Sequence, residues 1–361
     1  MLSMKNMIYL YGVILLVYNF ANTQVQLEWV SCYNGPADDW DTALAITGDD
    51  SGNVYVTGSS PGIGTGRDYA TIKYNANGDM VWVRRFNGPE NGFDVARDIA
   101  LDDSGNVYVS GTSVYGTIKY DRDGNEIWMR RYGLYSAGYR IALDDAGNIY
   151  LTGESTENFA TLKYDFSGNL LWAREYNGPA NYRDRAEDLA LDSWGNVLVA
   201  GQSWGIGTQW DYATIKYSNH GDSLWVRRYN GPAQDVPTDI AFALAVDDSG
   251  NVYVTGWSDG ANEAPQCLTI KYSPEGETRW EKRYPSGGSI GYAGYAIEVD
   301  SSGNIYVAAR SNGYDDTLLK YDRYGNLLWT GVHPVNHVFA TNPPRLVLDR
   351  SSNIYTLRGI R

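Results

Sequence analysis

Gly-Asn-Val-Tyr-Val-Thr-Gly occupies residues 52–58, and close variants of this phrase return along the whole chain. The successive spacings of its asparagine are 53, 42, 48, 55, 53 and 49 residues. The asparagines are Asn53, Asn106, Asn148, Asn196, Asn251, Asn304 and Asn353. A repeat of this length is typical of propellers and solenoids, because a unit too small to bury its own apolar faces must stack on its neighbours.

Each repeat unit contains four short segments rich in Ile, Val, Tyr, Thr and Trp, bounded by Gly, Asn, Asp or Ser. In the second unit they are residues 97–101, 106–111, 116–120 and 126–132. This pattern is typical of strands separated by turns, and no segment after residue 23 keeps a helical period over ten residues. The sequence therefore predicts an all-β fold, a seven-bladed β-propeller of four-stranded antiparallel blades, in a single domain over residues 24–361.

The connections between strands are of two kinds. Tight turns such as Asp-Asp-Ser-Gly-Asn at 102–106 and Asp-Arg-Asp-Gly-Asn at 121–125 join the first strand to the second and the third to the fourth. Glycine beside Asn or Asp supplies the positive φ that a hairpin needs, so we interpret these turns as hairpins rather than calcium loops. The other two connections vary in length. Because antiparallel strands alternate in direction, all the variable loops should lie on one face, where binding usually occurs.

The last blade should combine both ends of the chain. Thr-Ile-Lys-Tyr or a leucine variant marks the third strand only six times, whereas the second-strand phrase and the tryptophan of the fourth strand each occur seven times. A fourth strand is expected at about residues 26–33, and a first and second at 345–349 and 353–358. We therefore predict an incomplete last blade, shared between N- and C-terminal strands, without a third strand and with an exposed edge. A chain shortened at its C-terminus is the alternative.

Two residue types recur at fixed places in these strands, and we interpret both as structural. The third-strand lysines are Lys73, Lys119, Lys163, Lys216, Lys271 and Lys320, and the fourth-strand tryptophans are Trp29, Trp82, Trp128, Trp172, Trp225, Trp280 and Trp329. Because a lone buried charge is costly, we expect the lysines to be partnered with carboxylates such as the aspartate before each first hairpin.

Composition excludes several classes of function. The formal charge is −14, from 29 basic and 43 acidic residues, which argues against a nucleic-acid partner. Cys32 and Cys267 fall in non-neighbouring units, so we expect free thiols that are buried or nearly so. The three histidines complete no zinc set, and no P-loop, dinucleotide fingerprint or nucleophile elbow is present. We expect no catalytic residues, no metal and no cofactor.

The N-terminal segment differs from the rest of the chain. Lys5 precedes an apolar run over residues 8–18, which is too short to span a bilayer comfortably but suits the core of a signal peptide. We predict a signal peptide over residues 1–23 with cleavage near 21–23; an uncleaved anchor is the alternative. In either case the repeat domain is expected to be exported, secreted or associated with the cell envelope, without a further transmembrane domain, and monomeric.

Three stretches carry a resemblance to a known family. They are Ile-Ala-Leu-Asp-Asp-Ser-Gly-Asn-Val-Tyr-Val-Ser-Gly at 99–111, Ala-Thr-Ile-Lys-Tyr at 70–74 and Trp-Val-Arg-Arg-Tyr-Asn-Gly-Pro at 225–232. With them the chain resembles the SBBP family of bacterial seven-bladed β-propeller repeats over about residues 24–361. The resemblance implies an exported bacterial protein, in a family often attached to sorting or adhesion modules. It implies no shared enzymatic activity and supplies no catalytic residues.

Aromatic residues of the variable loops are the best candidates for a binding site. They are Trp40, Trp204, Trp210, Trp257, Tyr182, Tyr292 and Tyr314. Flat aromatic side chains suit sugar rings and protein hot spots, although they also pack over their own loops. We expect a non-enzymatic binding scaffold for a glycan or for an envelope or extracellular protein. The alternative is a propeller enzyme, a glycan lyase or hydrolase or a quinone-dependent dehydrogenase. Such an enzyme should gather carboxylates, His or Arg at the channel mouth, and the sequence shows no such cluster.

Overall fold

The computed structural model of this chain describes residues 13–18, 29–112, 116–133, 136–233, 237–261, 264–284, 291–311, 315–333, 344–348 and 354–359. Six sheets of four antiparallel strands follow one another along the chain, each with its strands in sequence order. We call them blades 1 to 6, and a seventh, three-stranded sheet blade 7. The predicted all-β propeller is confirmed.

The strands are short, as expected of alternating β-branched and aromatic residues between turns. Blades 1 to 3 contain Thr42–Gly48, Val54–Pro61, Arg67–Tyr74 and Met80–Phe86; Ala96–Leu101, Val107–Gly111, Thr117–Tyr120 and Glu126–Arg130; and Ser136–Leu143, Ile149–Ser155, Asn158–Tyr164 and Leu170–Tyr176. Blades 4 to 6 contain Asp184–Leu191, Val197–Trp204, Trp210–Tyr217 and Ser223–Tyr229; Asp239–Val246, Val252–Ser258, Gln266–Tyr272 and Thr278–Tyr284; and Tyr292–Val299, Ile305–Ser311, Asp316–Tyr321 and Leu327–His333. Within the described ranges there is no helix that could cross a bilayer.

The tight turns owe their sequence to one aspartate. In blade 2, Oδ1 of Asp102 accepts the N–H groups of Ser104 and Asn106 at 3.0 and 2.9 Å, and Oδ2 accepts the Asn106 amide at 2.8 Å. Gly105 has φ 79°, a conformation that costs glycine little. The turn at residues 121–125 has the same bonds, so its aspartate serves the hairpin. The first and third connections therefore lie on one face, and the variable loops on the other.

Neighbouring blades bury their apolar faces against each other. Leu198, Ala200 and Tyr212 of blade 4 pack with Ala241 and Leu244 of blade 5 in one cluster of buried side chains. Equivalent clusters lie between the other described blades. Since each sheet is covered on both faces, its central strands are apolar on both sides, and no blade could form a core alone.

Polar contacts reinforce this packing near the hairpin face. Trp172 Nε1 and Lys163 Nζ of blade 3 donate to the carbonyl of Asn219 in the next hairpin, at 3.0 and 3.3 Å. Gly221 lies beneath the ring, where a Cβ would approach Trp172 to 2.9 Å. We call this arrangement the interblade clamp. It recurs as Trp82 and Lys73 on Arg122, Trp128 and Lys119 on Phe166, Trp225 and Lys216 on Pro274, and Trp280 and Lys271 on Arg323.

The lysines reach the hairpin aspartates in two ways. In blade 3 the Lys163 ammonium lies 4.8 Å from the centre of the Tyr150 ring, and the Tyr150 hydroxyl donates to Asp144 at 3.0 Å. In blade 4 a leucine replaces that tyrosine, and Lys216 forms a direct ion pair with Asp192 at 2.9 Å. The tyrosine-mediated form occurs at Tyr55, Tyr108, Tyr150, Tyr253 and Tyr306. In the described blades the expected lysine–carboxylate pair is thus direct only in blade 4.

Blade 7 contains strands from both ends of the chain. Its first and second strands are Arg345–Leu348 and Ile354–Gly359, and Val13–Tyr18 pairs antiparallel with the second. The expectation of a missing third strand is therefore wrong. The third strands of the other blades contain a lysine. Val-Ile-Leu-Leu-Val-Tyr has none, is wholly apolar or aromatic, and lies within the predicted signal peptide.

The described residues do not form the expected fourth strand of blade 7. Of residues 26–33, the first three lie outside the described residues, and residues 29–33 form no strand. Trp29 nevertheless takes the place of a clamp tryptophan. Its ring lies over Gly78 of the blade 1 hairpin and 6.0 Å from the ring of Tyr74. The N-terminal segment thus packs on blade 1 as the other fourth strands pack on the blade that follows them.

The two cysteines are free thiols. Cys267 is buried, and burial raises its pKa to about 12. Cys32 is exposed, so the expectation of a buried or nearly buried thiol is wrong for this residue.

Candidate functional site

Three of the predicted loop aromatic residues form a row at blade 4. Trp204 and Trp210 are opposite each other at the ends of the second and third strands, with ring centroids 5.1 Å apart and planes at 76°. Tyr182, from the loop before the first strand, contacts Trp204 edge-to-face with centroids 5.2 Å apart. Edge-to-face contacts of this kind fix the rings relative to one another. We call these three residues the aromatic row.

The aromatic row borders an open depression on the loop face. Ala180, Tyr182, Trp204, Gly205 and Ile206 line a volume of about 520 Å³. Tyr182 is 54% exposed and Ile206 77% exposed, so apolar surface faces solvent here. The volume lies within the range of about 300–1,000 Å³ that small-molecule sites occupy.

A partly buried arginine holds the row in place. Arg228 donates to the Ser203 hydroxyl and, at 3.0 Å, to the Ser203 carbonyl, and its guanidinium lies 2.7 Å from Asp211. It also donates to the Tyr176 hydroxyl at 3.1 Å. Burial opposes the charge of Arg228, but the bonds with Tyr176 and Asp211 raise its pKa. Ser203 and Asp211 adjoin the two tryptophans in the sequence. The bonds of Arg228 to them therefore fix the backbone that carries the aromatic row.

Blade 1 provides the same loop without the aromatic side chains. Gly-Ile-Gly-Thr at 62–65 matches Gly-Ile-Gly-Thr at 205–208, and Arg85 pairs with Asp68 at 2.8 Å as Arg228 does with its aspartate. Pro61 and Arg67 are opposite each other where blade 4 has two tryptophans. The aromatic row is therefore an addition to a repeated scaffold.

The other predicted loop residues lie apart from the row. Trp40, 52% exposed, is in the loop before blade 1. Trp257 is half-buried and donates to Asp259 at 3.1 Å, and Tyr292 lies edge-to-face with Tyr284. The remaining candidate, Tyr314, lies outside the described residues. Packing over their own loops thus accounts for Trp257 and Tyr292.

The central channel has a second, unexpected set of side chains. The first strands of blades 1 to 6 each carry a β-bulge at the same place, which re-aims the neighbouring side chains. The residue after the bulge stands four positions before the hairpin aspartate. Together with its counterpart in blade 7, this position comprises Ala45, Asp98, Arg140, Asp188, Ala243, Ala296 and Arg345. We call these seven residues the channel belt.

Part of the channel belt is a connected ionic network. Arg140 Nε lies 2.9 Å from Asp188 Oδ1. Asp98 accepts the backbone N–H of Ile141 at 3.0 Å, and Asp188 that of Leu244 at 2.9 Å. Each aspartate thus satisfies an edge N–H of the next blade. Burial opposes the charge of Arg140, but Asp188 and Asp98 raise its pKa.

The belt side chains of non-adjacent blades are within electrostatic reach of each other. The charge of Arg140 in blade 3, followed by burial, lowers the pKa of Arg345 in blade 7 to about 10, while Asp98 and Asp188 oppose this shift. Burial raises the pKa of Asp98, against the charges of Arg140 and Arg345. Such coupling across the ring requires side chains that converge on its axis.

Aromatic and cationic groups line the channel on the loop side of the belt. The Tyr139 ring lies between the guanidinium groups of Arg97 and Arg185, at 5.7 and 4.5 Å. In the opposite sector Phe242 and Tyr295 stack with centroids 4.9 Å apart and planes at 24°. Cation–π and stacking contacts of this geometry are favourable at such distances.

Two glutamates complete the channel. Glu187 lies 2.9 Å from Arg185 and accepts a hydrogen bond from Gln202 at 3.2 Å, and burial raises its pKa. Glu298 is in blade 6 on the hairpin side of the belt. Burial, with a smaller contribution from the charge of Asp188, raises the pKa of Glu298 to about 7.

The expectation that no charged cluster gathers in the channel is therefore wrong. The signal was present in the sequence, at the position four residues before the hairpin aspartate. Three units have alanine there and four have a charged residue. Each of these four units, taken singly, shows only one charged residue at this position of a short strand. Closure of the ring brings the four charged side chains together.

Comparison with known proteins agrees with the fold. Residues 81–113, 127–160 and 224–262 match the SBBP family, described as a beta-propeller repeat. This chain carries SBBP repeats. The matched segments span the fourth strands of blades 1, 2 and 4 and the first two strands of blades 2, 3 and 5. Among curated proteins, none matches the sequence.

Solved structures resemble the SBBP propeller in fold alone. A selenomethionine-substituted virginiamycin B lyase from Staphylococcus aureus is 13% identical, with TM-score 0.56, covering 88% of this chain and 94% of that one. A catalytically inactive variant of the same lyase with quinupristin is 14% identical, with TM-score 0.51, covering 96% of this chain and 99% of that one. A protein from Lactobacillus plantarum is 13% identical, with TM-score 0.55, covering 80% of this chain and 84% of that one.

Proposed function

We propose that this SBBP propeller is an exported, non-enzymatic binding protein that takes a glycan at the aromatic row of blade 4. The observation that carries the proposal is that Tyr182 and Trp204 line an open depression, with Trp210 packed edge-to-face on Trp204, and that blade 1 repeats the loop without these rings. Blade 1 forms the same loop without these aromatic side chains, so the loop does not need them to fold. We therefore assign them a role in binding.

The chemistry of the aromatic row suits a sugar. The C–H faces of a sugar ring pack on aromatic rings, while its hydroxyl groups remain free for water and backbone groups. The Arg228 base fixes the rings before binding, so that little conformational entropy is lost when a ligand arrives. An envelope or extracellular protein could use the same row as a hot spot, and the experiment below separates these two partners.

The test is a glycan array with purified wild-type protein, Trp204→Ala and Trp40→Ala. Trp40 is the matched control, an exposed tryptophan on the same face of blade 1. We expect a glycan that binds the wild type and Trp40→Ala, and that binds Trp204→Ala at least about tenfold more weakly. Equal binding by both variants would contradict the proposal. Retention of an envelope protein in place of any glycan would assign the row to a protein partner.

Export to the cell surface or the medium is part of the proposal. It is supported by the apolar segment over residues 8–18 and by the resemblance to exported proteins. N-terminal sequencing of protein recovered from the envelope and from the medium tests it. A protein found only in the cytosol, with residues 1–23 attached, would contradict export.

An enzyme acting in the channel is the second candidate, because carboxylates and arginines of four blades meet there. Against it, Asp98, Glu187 and Asp188 each have a hydrogen-bond or ion-pair partner within the chain. Incubation with a glycan panel, analysed for cleaved products, and a dye-based dehydrogenase assay distinguish the candidates. Turnover that Glu298→Gln abolishes, with glycan binding at blade 4 intact, would replace the binding proposal.

A further inference from the structure

The channel belt contains two arginines with opposite surroundings. Arg140 has an aspartate on each side along the ring, Asp98 in blade 2 and Asp188 in blade 4, and forms an ion pair with the second at 2.9 Å. Its charge is thus compensated within the protein. This half of the belt shows what an arginine at this repeat position binds when a carboxylate is available.

Arg345 has an alanine on each side. Its neighbours along the ring are Ala296 in blade 6 and Ala45 in blade 1. Across the described residues, no carboxylate forms an ion pair with Arg345. Its guanidinium is partly buried and lies within the field of Arg140, a like charge, which the more weakly acting charges of Asp98 and Asp188 do not cancel. A cation in this position gains from an anion more than one that is already paired.

The wall beside Arg345 is apolar at the belt and on its loop side, whereas Glu298 lies on its hairpin side. Ala243 and Ala296 leave this sector of the belt without long side chains, and the stacked rings of Phe242 and Tyr295 adjoin it on the loop side. The first strands of blades 6 and 7, which carry Tyr295 and Arg345, pack against each other. A charged group and a flat apolar surface therefore meet in one sector, while the opposite sector is filled by the ionic network.

We propose that the channel is a second binding site, which takes a small organic carboxylate. The carboxylate group pairs with Arg345 in the place that an aspartate occupies beside Arg140, and a flat apolar part of the ligand packs against Phe242 and Tyr295. The site is separate from the aromatic row and does not depend on the function assigned to it. It is a site of binding, with no covalent step.

The experiment measures binding by isothermal titration calorimetry with three probes: benzoate, benzamide and inorganic phosphate. Benzoate has the anion and the flat ring, benzamide the ring alone, and phosphate the charge alone. We expect benzoate to bind one site per chain, and each of the other two probes to bind at least about tenfold more weakly. Benzamide or phosphate binding as tightly as benzoate would overturn the ligand class, and the absence of benzoate binding would overturn the site.

Three variants locate the site. Arg345→Gln should weaken benzoate binding at least about tenfold, whereas Arg122→Gln, which removes an exposed hairpin arginine, should leave it unchanged. Ala296 is buried beside Leu346, and Ala296→Asp gives this position the aspartate that blades 2 and 4 have there. The variant should block benzoate, and its circular dichroism spectrum and melting curve must match those of the wild type. This second variant keeps the test decisive if Arg345→Gln does not fold. Unchanged benzoate binding in Ala296→Asp would overturn the proposal; glycan binding at blade 4 should survive in all three.

Discussion

The interblade clamp and the channel belt are built from the same repeat, yet the clamp is the same in blades 1 to 5 and the belt alternates between alanine, aspartate and arginine. In the clamps of blades 1 to 5, a tryptophan and a lysine donate to a backbone carbonyl of the next hairpin. The residues that supply this carbonyl are Arg122, Phe166, Asn219, Pro274 and Arg323. In the belt the contacts are between side chains, which change from alanine to aspartate to arginine around the ring.

This difference separates what the repeat must keep from what it is free to change. A carbonyl is present whatever the side chain, so the hairpin can vary without loss of the clamp. A belt contact disappears when one of its side chains is exchanged, so the chemistry of the belt varies around the ring. Constant contacts between blades therefore indicate stability, and irregular contacts on the axis indicate specificity.

The largest expected effect comes from breaking the clamp. Trp172→Ala should lower the free energy of unfolding by about 3–5 kcal/mol, because the buried ring and its hydrogen bond to Asn219 are lost together. Chemical denaturation measures this change. Leu171→Ala, which removes a 52% exposed neighbour, is the control and should cost less than about 1 kcal/mol. Similar losses of unfolding free energy in the two variants would mean that the contacts of Trp172 with the next blade add nothing to stability.

The second effect tests the one blade whose lysine contact differs. Lys216→Met should cost about 2–3 kcal/mol, because it leaves the fully buried carboxylate of Asp192 without its ion pair. Lys163→Met should cost less, since the Tyr150 hydroxyl still satisfies Asp144. Thermal denaturation of both variants gives the comparison. Equal losses would show that the tyrosine contributes no protection to the aspartate.

The third effect compares the two arginines of the belt. Arg140→Gln should cost about 2 kcal/mol, less than a fully buried pair would, because Arg140 and Asp188 are still 19% and 17% exposed to the channel. Arg345→Gln should cost less than about 1 kcal/mol, as it removes no internal ion pair. Urea denaturation resolves this difference. A greater loss on replacement of Arg345 would mean that its charge is compensated inside the protein after all.

The smallest effect is a dependence of stability on pH through Glu298. Its pKa is raised to about 7 in the folded protein, so the folded state binds more protons than the unfolded one between about pH 4.5 and 7. The stability that the protonated form provides is complete below about pH 4.5, and is lost as the pH rises through 7. Glu298→Gln should therefore be about 1–2 kcal/mol more stable than wild type at pH 8.

Melting curves of wild type and Glu298→Gln between pH 5 and 8 measure this slope. Glu275→Gln, in an exposed hairpin, is the control and should follow the wild type over this range. A Glu298→Gln curve parallel to that of the wild type would show that Glu298 is ionised throughout, and that the channel tolerates its charge.

The clamp side of the fold could be predicted from the sequence because its residues recur. The Asp-Gly-Asn turns, the lysine strand and the tryptophan strand each repeat with their spacing, and together they specify blades of four antiparallel strands. The aromatic row was partly predictable: Tyr182, Trp204 and Trp210 were expected on the loop face, but their contact depends on the length and path of two loops.

The channel belt and the last blade escaped prediction for different physical reasons. The belt is formed by residues about fifty positions apart, such as Arg140 and Asp188, which become neighbours only when the ring closes. The strand Val13–Tyr18 was hidden because a short apolar run has the composition of both a signal-peptide core and a buried strand. Neither composition nor periodicity separates those two alternatives; only the available edge of Ile354–Gly359 does.

The pairing of Val13–Tyr18 with Ile354–Gly359 affects the order in which the molecule can assemble. All the strands of blades 1 to 6 lie between these two strands in the sequence, so blades 1 to 6 can stack first while Val13–Tyr18 is still unpaired. An apolar segment that must wait so long is exposed to chaperones and secretion factors throughout translation. If a peptidase removes it, Ile354–Gly359 reaches its final state with one side of its backbone unpaired.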